Sequence, residues 1–263
     1  MRPFFFGETA EPLLGLYHSP AGPRPRPVGV AVLNPFGDEY VRAHRSLRRL
    51  ADRLAGAGFH VLRFDYFACG DSAGEDDEGR PGRWLEDAAA AVEELEALAG
   101  SSRVALVGMR LGASLAVELA GRRPGIDHLV LWDPVADGRR CLRDLEAAHE
   151  TCMRENARRP APVESEAPQV LGFPLPAPLR AEMEAIDLFR HAAAPAAHVL
   201  VLNTAGEAPT LFPDGARPGG SLDRERLPGA PVWRRGEGDA MESALVPVEA
   251  LERIASWLVR RCP

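Results

Sequence analysis

Short apolar runs recur along the chain and are separated by stretches with helical periodicity. The runs are typical of strands buried on both faces of a parallel sheet, and they cover residues 28–33, 59–64, 104–107, 129–132 and 198–202. The intervening segments space apolar side chains three and four residues apart, which predicts helices at residues 41–57, 84–99, 111–120 and 247–260. Repeated strand–helix–strand order predicts an α/β fold, with a mostly parallel, doubly wound sheet and helices on both of its faces.

The alternation of strands and helices stops at residues 136–191. This stretch has helical pieces at residues 139–154 and 178–189 around a proline-rich segment, and it contains no convincing strand. We interpret it as a helical cap inserted over the sheet. The chain is therefore expected to have a core formed by residues 1–135 and 192–263, with residues 136–191 as the cap.

Both ends of the predicted sheet are less regular. Residues 4–6 and 13–18 predict an opening hairpin of two short strands. Near the other end, a loop rich in glycine and proline at residues 206–220 precedes a short strand that we predict at residues 231–234.

Composition and charge exclude several classes of function. The net charge is −7, so no general basic surface favours nucleic acid or an anionic membrane. All the basic residues are arginine, which excludes a Schiff-base lysine and a phosphate-loop lysine. The four cysteines show neither a CxxC pair nor metal-ligand spacing with histidine. No apolar run is long enough for a membrane helix. We expect a cytoplasmic protein without a metal or cofactor.

Three segments carry recognisable motifs. Residues 34–37 read Asn-Pro-Phe-Gly after a predicted buried strand. Residues 64–74 read Phe-Asp-Tyr-Phe-Ala-Cys-Gly-Asp-Ser-Ala-Gly, and residues 107–113 read Val-Gly-Met-Arg-Leu-Gly-Ala at a strand–turn–helix junction. Together they resemble the α/β-hydrolase superfamily in its serine-aminopeptidase-like branch, where such segments form an oxyanion loop, an "FDYxGxGxSxG" loop and a nucleophile elbow. The strings GMRLGA and LWDPV are also similar to hydrolase-like proteins associated with exosortase systems.

The chain departs from that family pattern at two places. The resemblance implies a serine at the elbow, where this chain has Arg110 between Gly108 and Gly112. A guanidinium stays protonated at ordinary pH and cannot attack a carbonyl. The resemblance also implies a late histidine, but none follows His198, and the loop at residues 236–242 reads Gly-Glu-Gly-Asp-Ala-Met-Glu. A serine–histidine–acid triad of the usual pattern is therefore not expected.

Arg110 has two alternative interpretations. It pairs with Asp133 in a vacated site, or it binds a carboxylate or phosphate ligand at the carboxyl ends of the strands, where the N-terminus of the next helix supplies further N–H donors. The second interpretation gives a predicted set of ligand-binding residues, which are Asn34, Phe36, Gly37, Glu39, Met109, Arg110, Leu111 and Asp133.

Three side chains are candidates for chemistry. Cys69 is the one plausible nucleophile near the pocket if Arg110 lowers its pKa and His44 acts as a base, although a buried, inert thiol is the simpler interpretation. Asp133 is a candidate for the acid of the site or for a proton carrier. Glu39 opens a helix, where a capping role competes with one in proton transfer.

Two functions follow from these residues. The first is a pseudo-hydrolase that binds an anionic or acyl small molecule in the capped pocket. The second is an enzyme that acts on an ester, thioester or amide by a non-standard mechanism. An exposed group of arginines on the cap could also dock an acidic carrier protein; it comprises Arg139, Arg140 and Arg143.

Overall fold

The computed structural model describes residues 1–21, 25–155, 168–206, 209–227, 229, 231–234 and 246–262. The strands are β1 (Arg2–Phe6), β2 (Leu13–His18), β3 (Gly29–Leu33), β4 (His60–Phe64), β5 (Val104–Met109), β6 (Ile126–Trp132), β7 (Gln169–Val170), β8 (Phe173–Pro174), β9 (His198–Asn203) and β10 (Ser221–Arg226). The helices are α1 (Asp38–Gly56), α2 (Pro81–Ala99), α3 (Leu111–Arg122), α4 (Gly138–Glu155), α5 (Ala177–Glu184) and α6 (Val248–Arg261).

Eight of these strands form one sheet in the order β1-β2-β4-β3-β5-β6-β9-β10. The β1–β2 hairpin is antiparallel, and β2 also pairs antiparallel with β4. Every pairing from β4 to β10 is parallel. The predicted α/β class, the mostly parallel sheet and the opening hairpin are therefore confirmed.

Helices cover both faces of the sheet. One core contains side chains from α1 and α6, including Leu47, Leu50 and Ile254, against the strands. The core on the other face contains side chains from α2 and α3, including Trp84 and Leu115. The carboxyl ends of the central parallel strands are left free of these helices, and the candidate site lies there.

The last strand of the sheet differs from the prediction. Residues 231–234 form a turn, and the eighth strand is β10 instead. The hydropathy pattern missed β10 because its sequence is Ser-Leu-Asp-Arg-Glu-Arg. As a strand at the edge of the sheet, it is half exposed, and charged side chains at such an edge discourage pairing with other chains.

The segment between β6 and β9 also contains more than the predicted helices. A short antiparallel hairpin pairs β7 with β8, so the expectation that this stretch has no strand is wrong. The helix predicted at residues 178–189 ends with α5, and a 3-10 turn follows at Leu188–Arg190. The Asp187 side chain accepts a hydrogen bond from the backbone N–H of Phe189 and so caps that separate turn. The predicted division into a core and a cap stays a prediction, and its residues 156–167 lie outside the described residues.

Among the described residues, no helix combines the length and apolar character that a membrane span needs.

Candidate functional site

The centre of the site is a sharp turn at Arg110 between β5 and α3. Its backbone has φ 53° and ψ −119°, a conformation that is strained for a residue with a side chain. A Cβ atom at Gly108 would clash with the carbonyl oxygen of Gly112, and one at Gly112 would clash with that of Leu33. The two glycines thus allow α3 to pack directly against the strands, and the turn presents Arg110 at the carboxyl edge of the sheet.

The Arg110 guanidinium is held on several sides. Its Nε donates to Glu39 Oε1 at 2.9 Å, and its Nη1 donates to the carbonyl oxygen of Asp133 at 3.2 Å. Nη2 lies 3.9 Å from the Sγ atom of Cys141. The ring of Trp233 covers the guanidinium, with 3.8 Å between Cζ and the ring centroid, which is a cation–π contact.

Glu39 is the ion-pair partner of Arg110, so the alternative in which Arg110 pairs with the Asp133 carboxylate is wrong. Only the backbone carbonyl of Asp133 contacts Arg110. Glu39 lies in the first turn of α1 and is 5% exposed. Burial raises the pKa of the Glu39 carboxyl, and the nearby Arg110 guanidinium opposes this effect. The site therefore holds a buried carboxyl group that loses its proton at a higher pH than an exposed one and, once ionised, pairs with Arg110.

The Asp133 carboxylate is occupied by other donors. It accepts hydrogen bonds from the backbone N–H groups of Thr204 and Ala205, from the Thr204 hydroxyl, and from Nε1 of Trp233 at 2.8 Å. Asp133 also has a positive φ, 45°, directly after β6. These bonds satisfy the charge of Asp133 within the protein.

Trp233 was missed by sequence reasoning, which assigned it to a strand. In the structure it lies in a turn beyond β10, and it contacts both Asp133 and Arg110. The sequence did contain one indication of its role. Trp233 lies just before the loop at residues 236–242, and α/β-hydrolases carry their catalytic histidine in that part of the chain. Residues 235–245, which include that loop, lie outside the described residues.

Two adjoining clefts open on either side of Arg110. Their volumes are about 420 and 480 Å³. Charges of both signs line them: Arg140 and Arg234 border both clefts, as does Asp144. The first cleft is also lined by Asn203, whose side chain is buried and whose Oδ1 has no hydrogen-bond partner among the described residues.

The other predicted ligand-binding residues do not meet at this cleft. Met109 and Leu111 point into the two cores and are almost fully buried, so neither side chain lines the clefts. Asn34, Phe36 and Gly37 line a separate, apolar cavity on the other side of the first turn of α1. Sequence proximity to the strand ends could not distinguish these positions, because it does not show which way each side chain points.

Cys69 lies in that separate cavity together with His44. Burial, with the carboxylates of Asp65 and Asp87 nearby, raises the pKa of the Cys69 thiol to about 12. Arg110 is not among the groups that shift this pKa, and the thiol stays protonated at neutral pH, as in the simpler interpretation of Cys69 as a buried, inert thiol. Cys141, which sequence reasoning passed over, lies beside Arg110, and burial likewise raises the pKa of its thiol to about 12.

The histidines have partners elsewhere. His18 pairs with Asp52, His60 with Tyr17, and His191 with Glu118. The others contact Val41, Arg261, Leu171 and Ser221. No histidine is among the contacts of Arg110 or Asp133 in the described part of the chain.

The arginines proposed for a carrier protein lie on α4. Arg139, Arg140 and Arg143 are all exposed there, and Arg140 also borders the clefts. Docking of an acidic partner on this helix stays a prediction.

Comparisons with known proteins agree with this architecture. A family model described as serine aminopeptidase, S33, matches residues 37–162. No curated protein matches the sequence. Proline iminopeptidase from Mycobacterium smegmatis superposes with a TM-score of 0.61 at 17% identity, over 98% of this chain and 98% of that chain. Mouse α/β-hydrolase domain-containing protein 10 has a TM-score of 0.59 at 16% identity, over 100% of both chains.

A third solved structure is an α/β serine hydrolase without lid from Xanthomonas campestris. It has a TM-score of 0.59 at 16% identity, over 100% of this chain and 95% of that chain. At these identities the likeness shows the fold. The chain thus has the α/β-hydrolase fold, and from α1 to beyond α4 its sequence is similar to the S33 serine aminopeptidases.

Proposed function

We propose that this protein is a pseudo-hydrolase: it has the α/β-hydrolase fold, does not act through a serine–histidine–acid triad, and binds an anionic or acyl small molecule over Arg110. In this proposal Arg110 takes the place of the nucleophilic serine. The turn between β5 and α3, the positive φ of Arg110 and the close approach of Gly108 and Gly112 support that assignment.

The observation that carries the proposal is the position of Trp233. In a catalytic triad, a histidine connects the acid to the nucleophile and transfers the proton between them. Here the indole N–H donates to Asp133 and the ring covers Arg110, so one tryptophan contacts both residues. An indole donates a hydrogen bond but cannot act as a base at neutral pH, and a guanidinium does not act as a nucleophile. The arrangement keeps contacts of a triad without its proton transfer.

Several groups over Arg110 support binding of an anion. The guanidinium N–H groups that Glu39, Asp133 and Cys141 leave free have no acceptor among the described residues. The first turn of α3 begins directly after Arg110; the N–H groups of Ala113 and Ser114 donate to the Arg110 carbonyl oxygen, and those of Leu111 and Gly112 have no acceptor among the described residues. Glu39 neutralises Arg110 in the absence of ligand, so a ligand anion competes with Glu39 for the guanidinium.

Hydrolysis of a panel of 4-nitrophenyl esters and acyl thioesters tests the proposal. We expect purified wild type, Arg110→Ala and Cys69→Ala to release product at the same rate as buffer. Arg110→Ser is also expected to be inactive, because no base replaces the histidine. Turnover by the wild type that one of these substitutions abolishes would contradict the pseudo-hydrolase proposal.

A second candidate function is supported by Glu39. Burial raises the pKa of its carboxyl, and Arg110 lies 2.9 Å away, so this pair could move a proton while the guanidinium polarises a substrate carbonyl. The same panel distinguishes the candidates: an enzyme of this kind turns over in the wild type and loses its activity in Glu39→Gln, whereas Cys69→Ala retains it.

Two finer assignments belong to the same proposal. The strings GMRLGA and LWDPV support kinship with the hydrolase-like proteins of exosortase systems. A cytoplasmic location is also part of the proposal.

A further inference from the structure

One face of the β1–β2 hairpin is apolar and open to solvent. Pro3 and Phe5 of β1 lie opposite Leu16 and Leu14 of β2, and side chains at paired positions share one face of a sheet. Phe5 is 62% exposed, and none of these four side chains packs in either core. We call the four residues the hairpin face. A contiguous exposed apolar patch of this kind marks an interaction site.

The hairpin face lies on the side of the sheet that carries α1. Phe6, the next residue along β1, packs in the opposite core with α2 and α3. On the α1 side, the helix reaches β2, where Asp52 Oδ1 lies 2.9 Å from Nδ1 of His18. Because Phe5 on β1 is exposed, the cover that α1 gives to the sheet stops short of this strand. The hairpin face is therefore the floor of a step, and the flank of α1 is its wall.

The depth of this step matches one layer of packed β-sheet. A helix with its side chains is about 10 Å across, which sets the height of the wall. Two sheets that pack face to face are also about 10 Å apart. The hairpin of a second copy, packed face to face on the first, therefore fills the step. A flat lipid surface would instead rest on the top of α1 and leave the floor unfilled.

Symmetry makes this fit reciprocal. A two-fold axis between the two hairpin faces, parallel to their strands, puts the α1 wall of each copy beside the free β1 edge of the other. The walls then lie on opposite sides of the interface, so their like charges stay apart. Pro3 lacks an N–H, which disfavours the addition of a further strand to the β1 edge and leaves it with more acceptors than donors.

Charges at the step are complementary across this axis. Arg45 and Arg48 are exposed on α1 and have no ion pair with the described residues. Burial lowers the pKa of Arg63 in β4, and the charge of Arg48 adds to that effect, as expected for an arginine on the flank near the hairpin. Glu8 at the hairpin tip is exposed and likewise has no ion pair with the described residues. The tip and the start of α1 lie at the same end of the sheet, so Glu8 of one copy approaches Arg45 of the other.

We propose that the hairpin face is the interface of a homodimer. The β1–β2 hairpin of each copy fills the step between the hairpin face and α1 of its partner, with Phe5 in the apolar centre and the arginines of α1 at the rim. The occupant of this face is thus a second copy of the chain. The inference goes beyond the proposed function and does not depend on the ligand site at Arg110.

Sedimentation equilibrium of the wild type from about 1 to 500 µM tests the proposal. We expect a monomer–dimer equilibrium with a dissociation constant of about 1–100 µM, as a small interface would give. Phe5→Glu should weaken dimerisation about a hundredfold, because each dimer carries the change twice. Phe189→Glu makes the same change at another exposed phenylalanine and should have no effect. A wild type that is monomeric throughout, or a Phe5→Glu protein that dimerises like it, would overturn the proposal.

Charge reversal tests the arrangement with variants that leave the apolar face intact. Glu8→Arg and Arg45→Glu should each weaken dimerisation about tenfold, and the double variant should restore it, because the opposite charges again meet across the axis. Singles that match the wild type, or a double variant no better than the singles, would overturn the two-fold arrangement.

Cosedimentation with phosphatidylglycerol vesicles distinguishes the other occupant. Vesicle binding by monomeric wild type that Phe5→Glu abolishes would assign the hairpin face to a lipid surface and overturn the homodimer. We expect no such binding.

Discussion

Glu39 and Arg110 form a buried ion pair that joins the first turn of α1 to the sharp turn after β5. The Glu39 Oε1 atom lies 2.9 Å from Arg110 Nε, and both side chains are largely withdrawn from solvent. Each charge thus depends on the other, since a single buried charge without a partner is strongly destabilising. In the absence of a ligand, the Glu39 carboxylate therefore neutralises the Arg110 guanidinium.

Stability should depend on pH through Glu39. Burial raises the pKa of its carboxyl in the folded state, so its contribution to stability is complete below the ordinary carboxyl pKa and is lost as pH rises through the folded-state pKa. Relative to Glu39→Gln, which cannot ionise, the wild type should lose about 1.4 kcal/mol for each unit of pKa elevation. Urea unfolding of both proteins between pH 4.5 and 8 measures this difference. A wild type that gains stability relative to Glu39→Gln as pH rises would contradict the raised pKa.

Trp233 should stabilise the site through two separable contacts. Trp233→Phe keeps a ring over Arg110 but removes the N–H that donates to Asp133, and should cost about 1.5–3 kcal/mol, the range for a hydrogen bond to a charged group. Trp233→Leu also removes the cation–π contact and should cost about 0.5–2 kcal/mol more.

Urea unfolding of the Trp233 series checks these values. Trp257→Phe serves as the matched control, because Trp257 Nε1 donates to the Asp223 carboxylate outside the site. Trp233→Phe and Trp257→Phe should both destabilise the fold, but only the Trp233 change should alter ligand binding over Arg110. A Trp233→Phe protein as stable as the wild type would contradict the proposed role of the indole N–H.

Cys69 should be chemically unreactive. Its pKa is raised from 9.0 to about 12, so at pH 8 its thiolate fraction is about a thousandfold lower than that of an ordinary thiol. Alkylation with iodoacetamide, followed by peptide mass spectrometry, should therefore label Cys69 far more slowly than a model thiol peptide. Rapid labelling at Cys69 would instead restore it as a candidate nucleophile.

Most of the fold follows from the hydropathy pattern, because buried parallel strands and amphipathic helices have distinct periods. The sequence predicts helix α2, the turn at Arg110 and the central strands at the positions where the structure has them. The sequence did not predict β10, because an edge strand buries too few of its side chains to need apolar residues. The β7–β8 hairpin was also missed, because two-residue strands leave no periodicity to detect.

The site was only partly predictable. Motif position identified Arg110 and Asp133, but the sequence could not show that a glutamate from α1 pairs with Arg110 in place of Asp133. The partner depends on how two separate elements pack, which spacing along one chain does not encode. Trp233 illustrates the same limit, since its role arises from contacts across long sequence separations.

The central claim is that Arg110 binds an anionic ligand group in competition with Glu39. Calorimetric titration with octanoate tests it most directly, on wild type, Arg110→Gln and Glu39→Gln. The double variant Glu39→Gln/Arg110→Gln leaves no unpaired buried charge, and Arg53→Gln removes an arginine that pairs with Glu252 on the surface away from the cleft.

We predict that octanoate binds the wild type, that Glu39→Gln binds it about tenfold more tightly, and that Arg110→Gln and the double variant bind it at least tenfold more weakly. Arg53→Gln should match the wild type. Octanoate affinity that is the same in the wild type, Arg110→Gln and the double variant would contradict the account.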